Sequence, residues 1–310
     1  MAQPLNHSSN PSPTALRWVA DAVGAGATIR AVSPLAGATS SLLHSIEVIY
    51  QGRIVKTVLR QFVDAEWLAV EPDLARHEAA SLRVAASANV PTPALIAYDE
   101  KGDECGAPST LVTLLPGAVD LQPADFDRWL RGMAAALRCV HKIETVDFPW
   151  EYFPYNDIAQ LQVPGWSACP EHWAKAIEIV QGPRPRARER FIHRDYHPNN
   201  VLWQGSSVSG VIDWVNACRG APGIDVGWCR QNLAQLYGVA TADRFLEAYR
   251  AESEADFEYH PFWDLITLIE HLPGPPGIYP GWPAFGINHL DEELVTARID
   301  DYLTSLIVNF

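Results

Sequence analysis

The sequence predicts an α+β protein in two lobes, a small antiparallel sheet followed by a helical half. Three observations carry this. Runs rich in β-branched and aromatic residues alternate with turn residues through the first ~115 positions. A breaker, Leu115-Pro-Gly-Ala118, follows. Beyond it, apolar residues recur at helical spacing to the end of the chain.

The elements follow in order. Residues 1–13 are polar and Pro-rich and form a flexible tail. Thr14 to Val23 places Leu16, Val19, Ala20 and Val23 on one helical face. Ile29–Pro34, Leu42–Tyr50 and Arg53–Gln61 are strands, the last two joined tightly by Gln51-Gly52. Glu71 to Ala88 is a helix closed by Pro91 and Pro93. Ala94–Tyr98 and Ser109–Leu115 are two more strands. Helices then run over Asp125–Ile143, Glu171–Val180, Gly227–Ala251, Phe262–His271 and Glu292–Val308. The Pro- and Gly-dense stretch Leu272–Gly286 is a loop over them. We therefore expect a first lobe at 14–115, a connector at 116–120 and a helical lobe at 121–310. A cleft between lobes is a common ligand site.

Composition narrows the function classes. Hydrophobic content of 48% with ten Phe, ten Tyr and eleven Trp supports a real core and excludes general disorder. A net charge of −14 argues against nucleic acid or anionic membrane as partner and favours, weakly, a cationic small molecule. Five cysteines without a close pair indicate reduced thiols rather than a disulfide framework. No basic, apolar leader opens the chain and no apolar run approaches the ~20 residues of a membrane span, so we expect a cytoplasmic protein.

The chemistry concentrates at residues 191–214. Asp195 sits five residues before Asn200, and Asp213 follows in Gly210-Val-Ile-Asp-Trp214. Val201–Trp203 and Gly210–Trp214 read as a hairpin around Gln204–Ser209, with Asn200 entering it and Asp213 ending it. Phosphoryl transfer needs a carboxylate to receive the acceptor proton and hard oxygen ligands for magnesium. Asn and Asp are also ordinary turn formers. The whole pattern, His-Arg-Asp-x-x-x-x-Asn and then Asp, is the more specific signal.

These residues resemble the aminoglycoside phosphotransferase and choline-kinase-like family, which has a protein-kinase-like fold. The resemblance rests on His193-Arg-Asp-Tyr-His-Pro-Asn-Asn200, Ile212-Asp-Trp214 and Gly223-Ile-Asp225, and it spans roughly residues 30–270. It implies Asp195 as catalytic base and Asn200 and Asp213 as magnesium ligands. Asp225 would buttress the catalytic loop, and His193 would support it. Asp213 is followed by Trp-Val rather than Phe-Gly, and no Ala-Pro-Glu follows, which points away from protein kinases. Leu35-Ala-Gly-Ala-Thr-Ser-Ser41 lies where the family covers the phosphates, making Gly37, Thr39, Ser40 and Ser41 candidate contacts. Where the family usually has Lys at the end of its third strand, this chain has Arg60, with Lys56 four residues earlier on the same face. Glu78 matches the helix Glu that pairs with that cation. Leu111-Val-Thr-Leu-Leu-Pro-Gly117 resembles the hinge, with Thr113 and Leu115 near the purine.

The resemblance thus implies a Mg²⁺-dependent transfer from ATP or GTP to the hydroxyl of a small molecule, by a monomer or homodimer. The acceptor is open between an aminoglycoside, another antibiotic and a metabolic alcohol. Acids of the helical half (Glu144, Asp147, Asp264, Glu270, Asp291, Glu292) suit a polyamine, and the aromatics Trp263, Tyr279, Trp282 and Phe285 suit a bulky apolar alcohol. Each set also fits a plain role, a solvated face or a packed core. Two other classes stand beside this one. Arg60 motivates a nucleotide-binding module without transfer. His193, Asp195 and His197 motivate a zinc hydrolase.

Overall fold

The computed structural model describes residues 10–35, 40–144, 147–253, 257–308 and 310. These form two compact units, one of residues 1–117 with 209–216, the other of 118–208 with 217–310. Most of the tail expected at 1–13 lies outside the described residues, and its last residue, Pro13, already starts a helix. Among the described residues, no helix is long and apolar enough to cross a membrane.

The first unit opens with α1 (Pro13–Val23), with Pro at its start and Ser12 Oγ accepting the Ala15 amide at 3.1 Å. It continues with β1 (Thr28–Pro34), β2 (Ser41–Tyr50), β3 (Arg53–Phe62), α2 (Ala65–Val70), α3 (Leu74–Ala85), β4 (Leu95–Asp99) and β5 (Ser109–Thr113). The strands make one five-stranded sheet in the order β1-β2-β3-β5-β4. Every neighbouring pair in it is antiparallel. Gln51 and Gly52 form the two-residue turn between Tyr50 and Arg53, both at positive φ (49° and 74°), the geometry that matches strand twist. One sheet face buries Ile46, Val48, Leu59 and Leu111 against Ala15, Trp18 and Val19 of α1. The helix expected over Glu71–Ala88 is α3, shorter at both ends. The α2 turn before it has no counterpart among the expected elements, although Asp64 caps it by accepting the Glu66 and Trp67 amides at 3.0 and 3.1 Å.

The second unit contains β6 (Ala118–Val119), α4 (Phe126–His141), α5 (Pro170–Gln181), β7 (Arg190–Ile192) and β8 (Val201–Gln204). Next come β9 (Ser207–Val211), whose last residues belong to the first unit, and β10 (Cys218–Gly220). The helices α6 (Pro222–Tyr237), α7 (Val239–Ser253), α8 (Phe262–Leu268) and α9 (Glu292–Ile307) complete it. β10 pairs antiparallel with β7, and β6 pairs antiparallel with β8. The single helix expected over Gly227–Ala251 is two, α6 and α7, broken at Gly238 with φ 89°. α6 also starts earlier, at Pro222, a residue suited to a first helical turn. The hairpin turn is tighter than expected, with Gly205 at φ 61° between β8 and β9. Consequently β9 ends at Val211 and Asp213 lies beyond it, not at its end.

Gly227 fixes how α6 meets α8. A Cβ there would lie 2.6 Å from the Trp263 carbonyl oxygen and 3.0 Å from Asp264 Cα. Only glycine permits that approach.

Candidate active site

β7 delivers the chain into the loop 193–200. Arg194 in this loop has φ 67°, a conformation costly for a non-glycine residue. Asp225 on α6 holds it there. Its Oδ2 accepts the His193 amide at 2.7 Å and its Oδ1 accepts the Arg194 amide at 2.6 Å. Asp225 is fully buried, and His141 of α4 lies against it, Nε2 to Oδ2 at 2.8 Å. His141 Nδ1 in turn pairs with Tyr249 Oη of α7 at 2.6 Å. So Asp225 does buttress the loop, and two helices brace Asp225. No local pattern marks His141 or Tyr249, which lie 84 residues from Asp225 and 108 from His141 respectively. The Arg194 guanidinium is buried over the rings of Tyr155 and Phe153, 4.2 and 4.3 Å from their centroids, and donates to the Phe153 carbonyl at 2.7 Å.

Asp195 is next. Its Oδ1 accepts the Trp228 indole N–H at 2.7 Å, and its Oδ2 accepts the Asn200 amide at 3.2 Å. Asn200 also donates to the Asp195 carbonyl at 2.8 Å. His197 Nε2 lies 3.6 Å from Oδ1. Burial pushes the Asp195 carboxyl up, but the rings of His197 and His193 and the Trp228 hydrogen bond outweigh it and hold it below the ordinary value. The carboxylate is thus ionised and, with 26% of its side chain exposed, reachable. Trp228 is absent from the residues that the motif singles out. Its signal is the spacing to Asp225, three residues on along one helix.

In the first unit the sheet builds a second cluster. Arg60 on β3 faces Thr110 on β5, and Ser41 lies on the same face of β2. Arg60 Nη1 donates to Glu78 Oε1 at 2.9 Å and to Asp213 Oδ1 at 2.5 Å, while its Nε donates to Ser41 Oγ at 3.0 Å. Thr110 Oγ1 donates to Glu78 Oε2 at 2.5 Å. Burial disfavours the Arg60 charge, but Asp213 and Glu78 outweigh that and raise its pKa. Lys56 shares the strand face, yet its side chain is 59% exposed and pairs with Glu47 at 3.7 Å. The two candidates are therefore separated, and Arg60 is the one beside Glu78. Asp213 has φ 66°, a second strained residue at a predicted functional position.

Of the remaining candidates, Gly37 and Thr39 lie outside the described residues. Ser40 is half-buried just before β2. Thr113 spends its amide on the Ala94 carbonyl and its Oγ1 on the Ala94 amide, both at 2.9 Å. The side chain of Leu115 packs where a Gly210 Cβ would stand, at 2.4 Å.

Each of two oxygen donors, taken by itself, suits a hard divalent cation. Asn200 turns its amide nitrogen to Asp195, so its carbonyl oxygen is the atom left for a metal. Asp213 offers a carboxylate that is 33% exposed. For zinc the fit is poor. No three His, Cys, Asp or Glu side chains converge on a metal position among the described residues.

The candidate acceptor residues separate as well. Asp264 is buried, with Arg230 at 2.7 Å and the hydroxyls of Tyr259 and Tyr302 each at 2.6 Å. Asp291 caps α9, Glu144 pairs on the surface with Arg188 at 2.7 Å, and Trp263 and Trp282 are core. Tyr279 lies against the loop, its ring 5.8 Å from that of His197.

Residues 44–263 match the model of the phosphotransferase enzyme family. The chain belongs to that family. It is 26% identical to the homoserine kinase of Rhodopseudomonas palustris over 300 residues, 85% of this chain and 86% of that enzyme. The homoserine kinase of Agrobacterium fabrum matches at 26% over 211 residues, 57% of this chain, and the match spans 62% of that enzyme, under two thirds of its length. A thermostable mutant of aminoglycoside phosphotransferase APH(4)-Ia, solved with AMP-PNP and hygromycin B, has the same fold. It superposes with a TM-score of 0.62 at 17% identity, over 95% of this chain and 99% of that one. The fold is therefore the kinase-like α+β class that the sequence predicts, and the family is one of phosphotransferases.

Proposed function

We propose that this protein transfers the γ-phosphoryl group of ATP to the hydroxyl of a small amino-alcohol metabolite, of which homoserine is the type. The observation that carries the transfer is Asp195, an ionised and reachable carboxylate held by Trp228 and Asn200. It orients the acceptor hydroxyl and takes its proton late, because positioning dominates in a loose transition state. Arg60, fixed by Glu78, neutralises phosphate charge on the nucleotide. Asn200 and Asp213 would hold Mg²⁺, which when bound screens the phosphate oxygens as the terminal group departs.

The acceptor class rests on two supports. The homoserine kinase of Rhodopseudomonas palustris shares 26% identity along most of the chain. In addition, Asp264 is buried among structural partners and Asp291 caps α9, which leaves fewer carboxylates for a polycationic antibiotic. The fold shared with a phosphotransferase solved with hygromycin B supports an antibiotic as second reading.

Purified protein with ATP or GTP and Mg²⁺ would be offered L-homoserine, related amino alcohols, choline, aminoglycosides and macrolides. Mass detection of a phosphate adduct on an amino alcohol is the expected result. An adduct on an antibiotic alone selects the second reading. ATP binding without any adduct supports a regulatory module.

A further inference from the structure

One turn of α6 holds three consecutive residues of the loop. Asp225 takes the amides of His193 and Arg194. Trp228, three positions on and therefore beside it on the helix surface, takes the side chain of Asp195. We infer that Trp228 is a positioning residue, whose indole N–H fixes the orientation of the Asp195 carboxylate toward the acceptor. This rests on the reading of Asp195 as the base.

The chemistry of the pair supports it. An indole N–H is a donor only, so it cannot exchange roles with the carboxylate or with an acceptor hydroxyl. Its bond to an ionised oxygen at 2.7 Å is short and charge-assisted. The carboxylate has about four lone-pair positions on its two oxygens. Trp228 donates the short hydrogen bond to Oδ1, with His197 Nε2 farther off at 3.6 Å, and Asn200 engages Oδ2, so the carboxylate plane is fixed from both sides while lone pairs stay open to the hydroxyl. Two anchors are needed because Asp χ2 is broad and two-fold, with no torsional well to hold the plane. Trp228 itself is only half-buried, so core packing does not account for it. Gly227 presses α6 onto α8 directly before it, which gives the anchor a rigid base.

The test is a double-mutant cycle with Trp228→Phe and Asp195→Ala. The phenyl ring keeps the aromatic surface and loses the donor. Transfer to the best acceptor of the panel, or ATP hydrolysis where no acceptor reacts, is followed at saturating ATP. In the native background Trp228→Phe should lower kcat by roughly 10–100-fold, the cost of an ångström-scale misplacement, with KM for ATP unchanged. In the Asp195→Ala background it should add less than about twofold, since residues acting as a unit are not additive. Trp228→His, which keeps a ring N–H, should recover part of the loss. Equal losses in both backgrounds, or a native kcat for Trp228→Phe beside a collapsed Asp195→Ala, would overturn the role of Trp228. An undiminished Asp195→Ala would instead sink the base assignment. A crystal structure of Trp228→Phe decides independently of turnover. The carboxylate should leave its present orientation, and an unchanged carboxylate contradicts the inference.

Discussion

Arg60 serves three acceptors at once, which sets what a substitution there does. Arg60→Met would leave Glu78, with 7% of its side chain exposed, without its counter-charge. Breaking such a buried pair costs about 3–5 kcal/mol, and chemical denaturation should show a loss of that size together with weaker nucleotide binding. Arg60→Lys keeps a point charge but not the fork that reaches Glu78, Asp213 and Ser41 together, so it should fall between the two. A Met variant as stable as the native protein would show the cluster to be dispensable. His271 gives the pH dependence. Burial lowers its pKa from 6.5 to about 4. Folding thus favours the neutral ring. The stability this contributes is present above pH 6.5 and is lost as pH falls from there toward 4. Denaturation midpoints should drop across that window, and His271→Gln should flatten the drop. An imidazole titrating near 6.5 by NMR would contradict it.

At the scale of elements, α6 does most to place the loop. It is buried on nearly every side, including Gly223, Asp225, Gly227, Arg230 and Gln231. A helix without a polar face gives no clean helical periodicity, so its start at Pro222 and its separation from α7 at Gly238 are not legible from apolar spacing. The punctuation is present in Pro222 and Gly238, and it alone marks the two ends. The Gln51-Gly52 hairpin is legible for the opposite reason, since two residues at positive φ form a strictly local constraint. The bracing of Asp225 by His141 and Tyr249 is not, because it joins α4 to α6 and α7 across 84 and 108 residues of sequence. Gly227→Ala should destabilise the protein by about 1–3 kcal/mol, the usual cost of overpacking, and lower activity with it through the shared helix. Gly238→Ala, at a position with open space but φ 89°, is the control that separates backbone strain from crowding. It should cost stability and leave the loop in place. A native denaturation midpoint for Gly227→Ala would contradict the close approach of α6 to α8.

For the whole molecule, the order of sheet, breaker and helices makes the α+β class legible, and one loop motif makes the family legible. Chain order hides one feature. Residues 209–216, deep in the second half of the sequence, belong to the first unit, where Val215 packs with Phe62, Leu74 and Ala75. That is why Asp213 meets Arg60, beside Glu78, a contact no local pattern encodes. The acceptor stays hidden because its recognition depends on which acids and aromatics are committed to structure, and only packing decides that. The central claim, phosphoryl transfer with Asp195 as base, also predicts that chelation of Mg²⁺ by EDTA abolishes turnover and that excess Mg²⁺ restores it. The most direct test compares native protein and Asp195→Ala at saturating ATP, Mg²⁺ and acceptor, counting phosphorylated product by mass. The account predicts a rate lower by about 10²–10⁴-fold, the usual general-base contribution, in a variant that still binds ATP. Undiminished turnover by that variant would contradict it.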